Sequence, residues 1–382
     1  MRSPAGVRAT SRFSALSGSH RSGDLASPRP VVSFSRLDIC LSSQKHLHSA
    51  SRLNGADSMA TVARQELRVE ILDLRHFSSA DLRPVLEEEI RVWSRLLSWD
   101  YSGSADMILR YVDAKILPGY AAIERGRVFG YSFFVYEGSK GVIGDLFVAN
   151  GNRLPDPPEV ESRLITHVIE TLQQSPGIHR VEAQLLAHEA GAVTRPFLEQ
   201  GFSRHARLFM VLALEAAGAP RTPLSKEVEI RRWSEQDYQS AAAIITTAYR
   251  GHVDSNINDQ YRSLSGSLRF LNNIVRFPGC GAFDAESSFV ALDRRTRTLM
   301  GLILCSRVRQ DVGHVTQVCV LPDYRSQGIG EALLAATTDN LRRRQFSLLS
   351  LTVTEANQRA VELYLRLGFD TRRVFDAFVW EG

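Results

Sequence analysis

Apolar and polar positions run through the same programme twice along this chain. The first pass extends from about Leu67 to Leu214. The alternation in "LRVEILDL" predicts a short strand, and the three-to-four-residue apolar spacing over Ala80–Leu97 and Ala105–Leu117 predicts two helices. Strand-like runs follow at "GYAAIE", "VFGYSFFVY" and "GVIGDLFV". A helix over Val160–Gln173 stops before Pro176-Gly177. The strand "HRVEAQL", a helix over Ala192–Glu199 and the run "RLFMVLAL" close the pass.

The second pass extends from Val228 to Trp380. It opens on "VEIRRW" and a helix near Asp237–Ala248, then crosses a polar stretch, Gly251–Gly281, with room for another helix. The strands "SSFVALD", "LMGLILCSRV" and "HVTQVCVL" precede a helix, the strand "LLSLTV", a further helix and "DTRRVFDAFVW". The closing segments can be written above each other: "TRPFLEQGFSRHARLFMVLAL" and "AVELYLRLGFDTRRVFDAFVW". Each predicts a helix, a Gly-Phe and a pair of strands. "EAAGAPRTP", Glu215–Pro223, reads as a linker. A period of about 150 residues is a domain duplication rather than a solenoid. The fold expected is α/β (α+β): residues 67–214 and 228–382 as two mixed, mostly antiparallel sheets flanked by helices, joined by 215–227.

Composition separates the first 58 residues from the rest. They hold fourteen Ser, seven Arg and one Lys against three Asp, a charge of +5, whereas the whole chain carries +4. The remainder is therefore near −1, which argues against a nucleic-acid surface on the folded part. Residues 1–58 read as a disordered leader. Two origins stay open: an organellar transit peptide, or an extension ahead of a true start at Met59. The expected location is cytoplasmic, or organellar if the leader is a real transit peptide. No run of 18 apolar residues suggests a membrane span. Four cysteines without a CxxC pair suit a reducing compartment, and ten histidines without ligand spacing predict no metal.

Candidate chemistry begins at "VCVLPDYRSQGIGEALL", Val318–Leu334. A strand stops at Pro322, a basic glycine-containing turn follows, and a helix starts at once. Unpaired amides and the helix dipole make such a start a phosphate site. Gly328 and Gly330 let backbone approach phosphate oxygens, and Arg325 can add charge-assisted hydrogen bonds. The spacing is neither a nucleotide P-loop nor a dinucleotide fingerprint. A tight turn that binds nothing is the bland alternative. One strand later, Ala360, Leu363, Tyr364 and Leu367 form the stripe of a helix with Asn357 as N-cap and Gly368 as stop.

With these residues in place, Val228–Trp380 resembles the GCN5-related N-acetyltransferase (GNAT) superfamily, and the tandem plan resembles mycothiol-synthase-like enzymes. The resemblance implies acetyl-CoA as cosubstrate on the turn Arg325, Ser326, Gln327, Gly328, Ile329 and Gly330. It implies that the strand at Val318 and Val320 pairs with the pantetheine arm, and that Asn357 contacts that arm. It also implies Tyr364 as the acid that protonates the departing thiolate. The reaction implied is transfer of an acetyl group to a small-molecule or peptide amine; composition adds the expectation of no nucleic-acid, membrane or metal partner. A backbone N–H near Val320 could hold the oxyanion. A non-catalytic acyl-CoA-binding regulatory module is the competing reading.

The first pass departs from that pattern. Its turn region, "FVANGNRLPDPPEVESRL", lacks the motif, and Pro155, Pro157 and Pro158 donate no amide hydrogen. Aligning Gly201-Phe202 with Gly368-Phe369 sets Phe197 against Tyr364 and Ala190 against Asn357. The first copy is expected to be degenerate and to shape the acceptor pocket. No general base stands out. His314 and Gln317 are expected on opposite faces of their strand, and Glu286 precedes another; each reads better as structural. Cys319 reads as a buried apolar residue rather than a nucleophile. The acidic residues of Asp254–Asp259 could recognise a cation, but a solvated loop explains them better.

Overall fold

A computed structural model describes residues 69–149, 157–218, 222–276 and 281–382. The leader, Cys40, Pro155, Cys280 and part of the linker lie outside them. The first pass forms β1 (Glu70–Asp73), α1 (Ser79–Leu97), α2 (Ser102–Asp113), β2 (Gly119–Glu124), β3 (Arg127–Glu137), β4 (Lys140–Val148), α3 (Pro157–Gln174), β5 (Arg180–Gln184), α4 (Thr194–Glu199) and β6 (Ser203–Ala213). The second forms β7 (Val228–Arg232), α5 (Tyr238–Ala248), α6 (Asp254–Ile257), α7 (Leu264–Arg276), β8 (Ala282–Phe283), β9 (Phe289–Asp293), β10 (Leu299–Arg309), β11 (Val312–Val320), α8 (Ile329–Arg343), β12 (Leu348–Thr354), α9 (Gln358–Arg366) and β13 (Asp370–Glu381). The polar stretch thus carries two helices, α6 and α7, where one was expected.

All strands of the described residues join one sheet in the order β1-β2-β3-β4-β5-β13-β6-β12-β11-β10-β9-β7, with β8 beside β10. Each closing segment is one long strand, not the expected pair. "SRHARLFMVLA" has no glycine or proline to turn it, and in β13 an irregularity between Thr371 and Arg373 bends the ladder without ending it. The two long strands are exchanged. β13 lies between β5 and β6 of the first copy, and β6 lies between β13 and β12 of the second.

Two short parallel pairs interrupt the antiparallel ladder. β4 and β5 pair from Lys140–Arg180 to Ile143–Ala183, and β11 and β12 from Val312–Leu348 to Val315–Leu351. Both pairs then part. Just past each lies a bulge: Gly144 is the extra residue on β4 and Thr316 on β11. The duplication is therefore exact at this feature, and Asp145 occupies the place of Gln317.

The bulge overturns one expectation. Leu304 pairs with Gln317 and Ser306 with His314, while Cys305 pairs with Val315. The extra residue returns His314 and Gln317 to the same sheet face. That face is covered by α1 and α2 on the first copy and by α5 and α7 on the second. Helices α3, α4, α8 and α9 cover the other. The core crosses between copies: the His314 ring lies edge-on to Trp99, 4.7 Å between centroids, and against Phe209.

At Asp145 the first copy buries two carboxyl groups. Glu89 is fully buried and Asp145 nearly so. Tyr101 donates to Asp145 Oδ2 at 2.6 Å, and Tyr131 donates to Glu89 Oε2 at 2.6 Å. Burial, the Asp145 charge and the hydrogen bond between the two carboxyls raise the Glu89 pKa well above its usual range, and burial raises that of Asp145 as well, so the pair keeps a proton above the ordinary carboxyl range. A raised acid pKa means the folded state binds a proton that the unfolded state has lost. Stability should therefore fall as pH climbs from the ordinary glutamate value toward the folded one. Glu89→Gln mimics the protonated form and should remove that slope, which is at most about 1.4 kcal/mol per pH unit. Denaturant titrations from pH 5 to pH 9 would show it.

Candidate functional site

The site is the gap that opens where β11 and β12 part. Leu321 N donates to Met300 O on β10, so alternation turns the amides of Val318 and Val320 away from β10, toward the gap. Val318 N is taken by Gln317 Oε1 at 3.0 Å. That leaves Val320 as the strand amide suited to a carbonyl or oxyanion.

At the mouth of the gap sits the glycine turn. Pro322–Tyr324 makes one 3-10 turn, Ser326 takes a left-handed φ of 64° and Gly328 one of 79°, and α8 begins with no side chain capping it. A left-handed residue ahead of an uncapped helix leaves its first amides facing outward. The two glycines have different reasons. At Gly328 the positive φ alone demands glycine, and a Cβ would meet Thr222 at 2.9 Å. At Gly330 a Cβ would find nothing closer than Leu363 at 3.8 Å, so the protein itself does not require glycine there. The space in front of Gly330 is what the glycine keeps clear.

Arg325 is used differently from the expectation. Its Nη2 donates to Ala248 O at 2.7 Å and its Nε to Val320 O at 3.2 Å, tying the turn to α5 and β11. Gln327 Nε2 bonds Asp323 O. The cation that meets the turn through a side chain is Arg359, whose Nη2 donates to Ser326 Oγ. Sequence reading missed it; its signal is its place in the first turn of α9, two residues after Asn357.

Asn357 caps α9, its Oδ1 accepting from Ala360 N at 3.4 Å. Tyr364 on the same helix is buried, with its ring 5.7 Å from Phe369. Burial first, and then the Asp254 charge, raise its pKa, so it remains a phenol throughout the neutral range. Opposite it in the duplication, Phe197 is fully buried and stacks on Phe378 at 3.9 Å. Helix α3 starts at Pro157, so the first two residues of the first copy's helix bring no amide hydrogen.

The other side of the gap holds residues that sequence reading did not gather. Tyr249 at the end of α5 donates to Gln317 Oε1 at 2.9 Å. This repeats the Tyr101–Asp145 contact with an amide in place of the acid. Gln317 Nε2 is buried and has no partner among the described residues. Thr354 Oγ1 on β12 donates to Asp254 Oδ1. From the first copy's β6, Arg207 donates to Thr352 Oγ1 at 3.3 Å and to Gln184 at 2.9 Å. Only strand exchange brings β6 here, and exchange leaves no local sequence mark.

The base candidates fare as structural residues. His314 is buried, hydrogen-bonded to Ser350, and burial with the Arg207 charge pushes its pKa down to about 3. Glu286 is exposed and paired with Arg344. The Asp254–Asp259 stretch is not a solvated loop: Asp254 is bonded to Thr354, and Asp259 Oδ1 pairs with Lys140 Nζ at 2.6 Å. Cys319 is buried, and burial pushes its thiol up to about 12 even against the Arg325 charge. A thiol at that value supplies almost no thiolate at neutral pH. Cys319→Ala is expected to leave turnover within about twofold, because no step needs the sulfur; steady-state kinetics would check it.

Comparison with known proteins bears on the family and the fold. Residues 257–369 match the Acetyltransferase (GNAT) family. The mycothiol acetyltransferase of Thermobifida fusca is 36% identical over 97 residues, 23% of this chain and 30% of that protein. That of Renibacterium salmoninarum is 26% identical over 211 residues, 53% of this chain and 58% of that protein. The chain thus spans between about a third and rather more than half of these relatives. A GCN5-related N-acetyltransferase from Sphaerobacter thermophilus shares the fold at a TM-score of 0.56 and 15% identity, over 82% of this chain and 95% of that one. A tandem GNAT protein from the clavulanic acid biosynthesis pathway does so at 0.53 and 13%, over 82% of this chain and 98% of that one.

Proposed function

We propose that this chain, whose residues 257–369 are a GNAT-family domain, is an N-acetyltransferase that moves an acetyl group from acetyl-CoA to a primary amine. The observation that carries the reading is the opening of β11 from β12 beyond Val315–Leu351, with the uncapped start of α8 at one end and Tyr364 beside it. The amides of Ile329 and Gly330 receive the diphosphate, with Arg359 adding charge. The arm of the cosubstrate lies along β11 where the ladder is missing, passing Val318 and pairing with Val320, and Asn357 lies beside it.

The chemistry then follows from position. The neutral amine attacks the thioester carbonyl; a C–N bond forms, and the carbonyl oxygen gains charge next to Val320 N–H. The C–S bond breaks as Tyr364 gives its proton to sulfur. The phenolic proton is replaced from solvent, into which the new amide nitrogen releases its own. The intact phenol at Tyr364 favours an enzyme over a module that only binds acyl-CoA.

The test is thiol release from acetyl-CoA with and without a panel of primary amines, read with a thiol-reactive dye. Amine-dependent release is the expected result. Tight acetyl-CoA binding with no release for any amine would favour the binding module.

A further inference from the structure

The acceptor side of the gap carries a carboxylate that the family match does not cover, since it begins at residue 257. Asp254 is largely buried; its Oδ1 accepts from Thr354, and its Oδ2 lies 3.4 Å from His252 Nδ1. The Asp254 backbone N–H donates to the same His252 nitrogen at 3.2 Å. An aromatic cluster adjoins it through His252: that ring stands edge-on to Tyr249 at 5.3 Å, and Tyr249 stacks on Tyr261 at 4.3 Å. A carboxylate beside aromatic rings is the environment that selects an ammonium group. The Gln317 amide, held by the Tyr249 hydroxyl, presents a buried donor without a partner among the described residues. We propose that Asp254 receives the acceptor as its ammonium ion, so that the acceptor is a cationic alkyl amine. The inference rests on the acetyltransferase reading above.

Further facts agree. The Asp254 charge contributes to the raised pKa of all three phenols, behind burial at Tyr261 and Tyr364 and behind burial and Tyr261 at Tyr249, so one carboxylate lies within electrostatic reach of each, including the proposed acid. Arg207, the nearby cation on β6, spends its terminal nitrogens on Gln184 and Thr352 rather than on Asp254.

The degenerate copy fixes the segment in place. Arg180 Nη2 donates to Asn256 O at 2.6 Å, Lys140 pairs with Asp259, and Gln260 Nε2 donates to Glu137 at 3.0 Å. The buried ends of β4 and β5 therefore hold the α6 segment over the second copy's gap. In the proposal Asp254 binds the ammonium, and solvent takes the proton that must leave before attack.

The test uses the full chain, acetyl-CoA and two acceptors of matched size: phenethylamine, protonated at pH 7, and 4-ethylaniline, neutral at pH 7. Wild type is expected to favour phenethylamine. Asp254→Asn should raise its KM roughly 10- to 100-fold, the worth of a charge-assisted hydrogen bond, and leave 4-ethylaniline within about twofold. Acetyl-CoA affinity by calorimetry should not change, and Asp254→Glu should recover part of the preference. Should Asp254→Asn not fold, Thr354→Val, which removes the orienting hydroxyl, should show a smaller loss confined to phenethylamine. Equal losses on both amines, or none, overturn the assignment. So does a wild-type chain that binds acetyl-CoA and acetylates neither amine, which leaves the cofactor reading standing. Failure to bind acetyl-CoA at all sinks the acetyltransferase reading itself.

Discussion

Tyr364→Phe is expected to lower kcat about 100- to 1,000-fold, the ordinary worth of a positioned general acid, while the acetyl-CoA Kd stays within about twofold because no binding contact is lost. The substitution isolates the hydroxyl. The ring remains to fill its place beside Phe369 in the core that joins α8 and α9, so the fold loses no volume. What disappears is the proton that meets the departing thiolate. Burial and the Asp254 charge both hold Tyr364 in its protonated form, so it is a competent donor at every pH at which the protein is handled. Hence the alkaline limb of the wild-type pH–rate profile should not belong to Tyr364, and the variant should keep the wild-type profile at a lower level. Rapid-quench kinetics alongside calorimetry would measure both quantities. An unchanged kcat would remove Tyr364 from the reaction.

The features legible in the sequence are those written locally. Asn357 as a cap, Gly368 as a stop and the apolar stripe through Tyr364 are helix grammar, and each stands where periodicity puts it. The glycine turn is legible for the same reason: a strand, a left-handed glycine and a helix start follow one another within a few residues. What escaped reading is set by strand order. One inserted residue at Thr316 reverses the face of His314 relative to Gln317, and no residue type marks it. Exchange of β6 and β13 brings Arg207 next to Thr352, more than a hundred residues away in the chain. Asp254 reads as one more acid in a polar stretch until Lys140 and Arg180, from the other copy, hold that stretch against β12. The first copy has Phe197 where the second has Tyr364, and its buried Lys140 and Arg180 hold the second copy's α6 segment in place.

Gly330→Glu is expected to weaken acetyl-CoA binding by more than about 100-fold, because it sets a carboxylate where the diphosphate must lie. It should not weaken the fold. Gly328 is the more obvious target but the poorer one: its φ of 79° and the 2.9 Å approach of Thr222 mean that any side chain strains the backbone, so lost binding there could simply reflect a distorted turn. Gly330 is helical, and a Cβ there meets only ordinary van der Waals distances. Replacing a helical glycine contributes about 0.5–1 kcal/mol of stability, and an acidic residue in the first turn complements the helix dipole. The expected pairing is therefore a melting temperature equal to or above that of wild type together with lost cofactor affinity. In the proposed reading, stability favours a side chain at this residue and the ligand favours glycine, so the two measurements should move in opposite directions. Calorimetry showing wild-type affinity in a folded Gly330→Glu protein would place the diphosphate elsewhere and with it the arm, the thioester and the role of Val320.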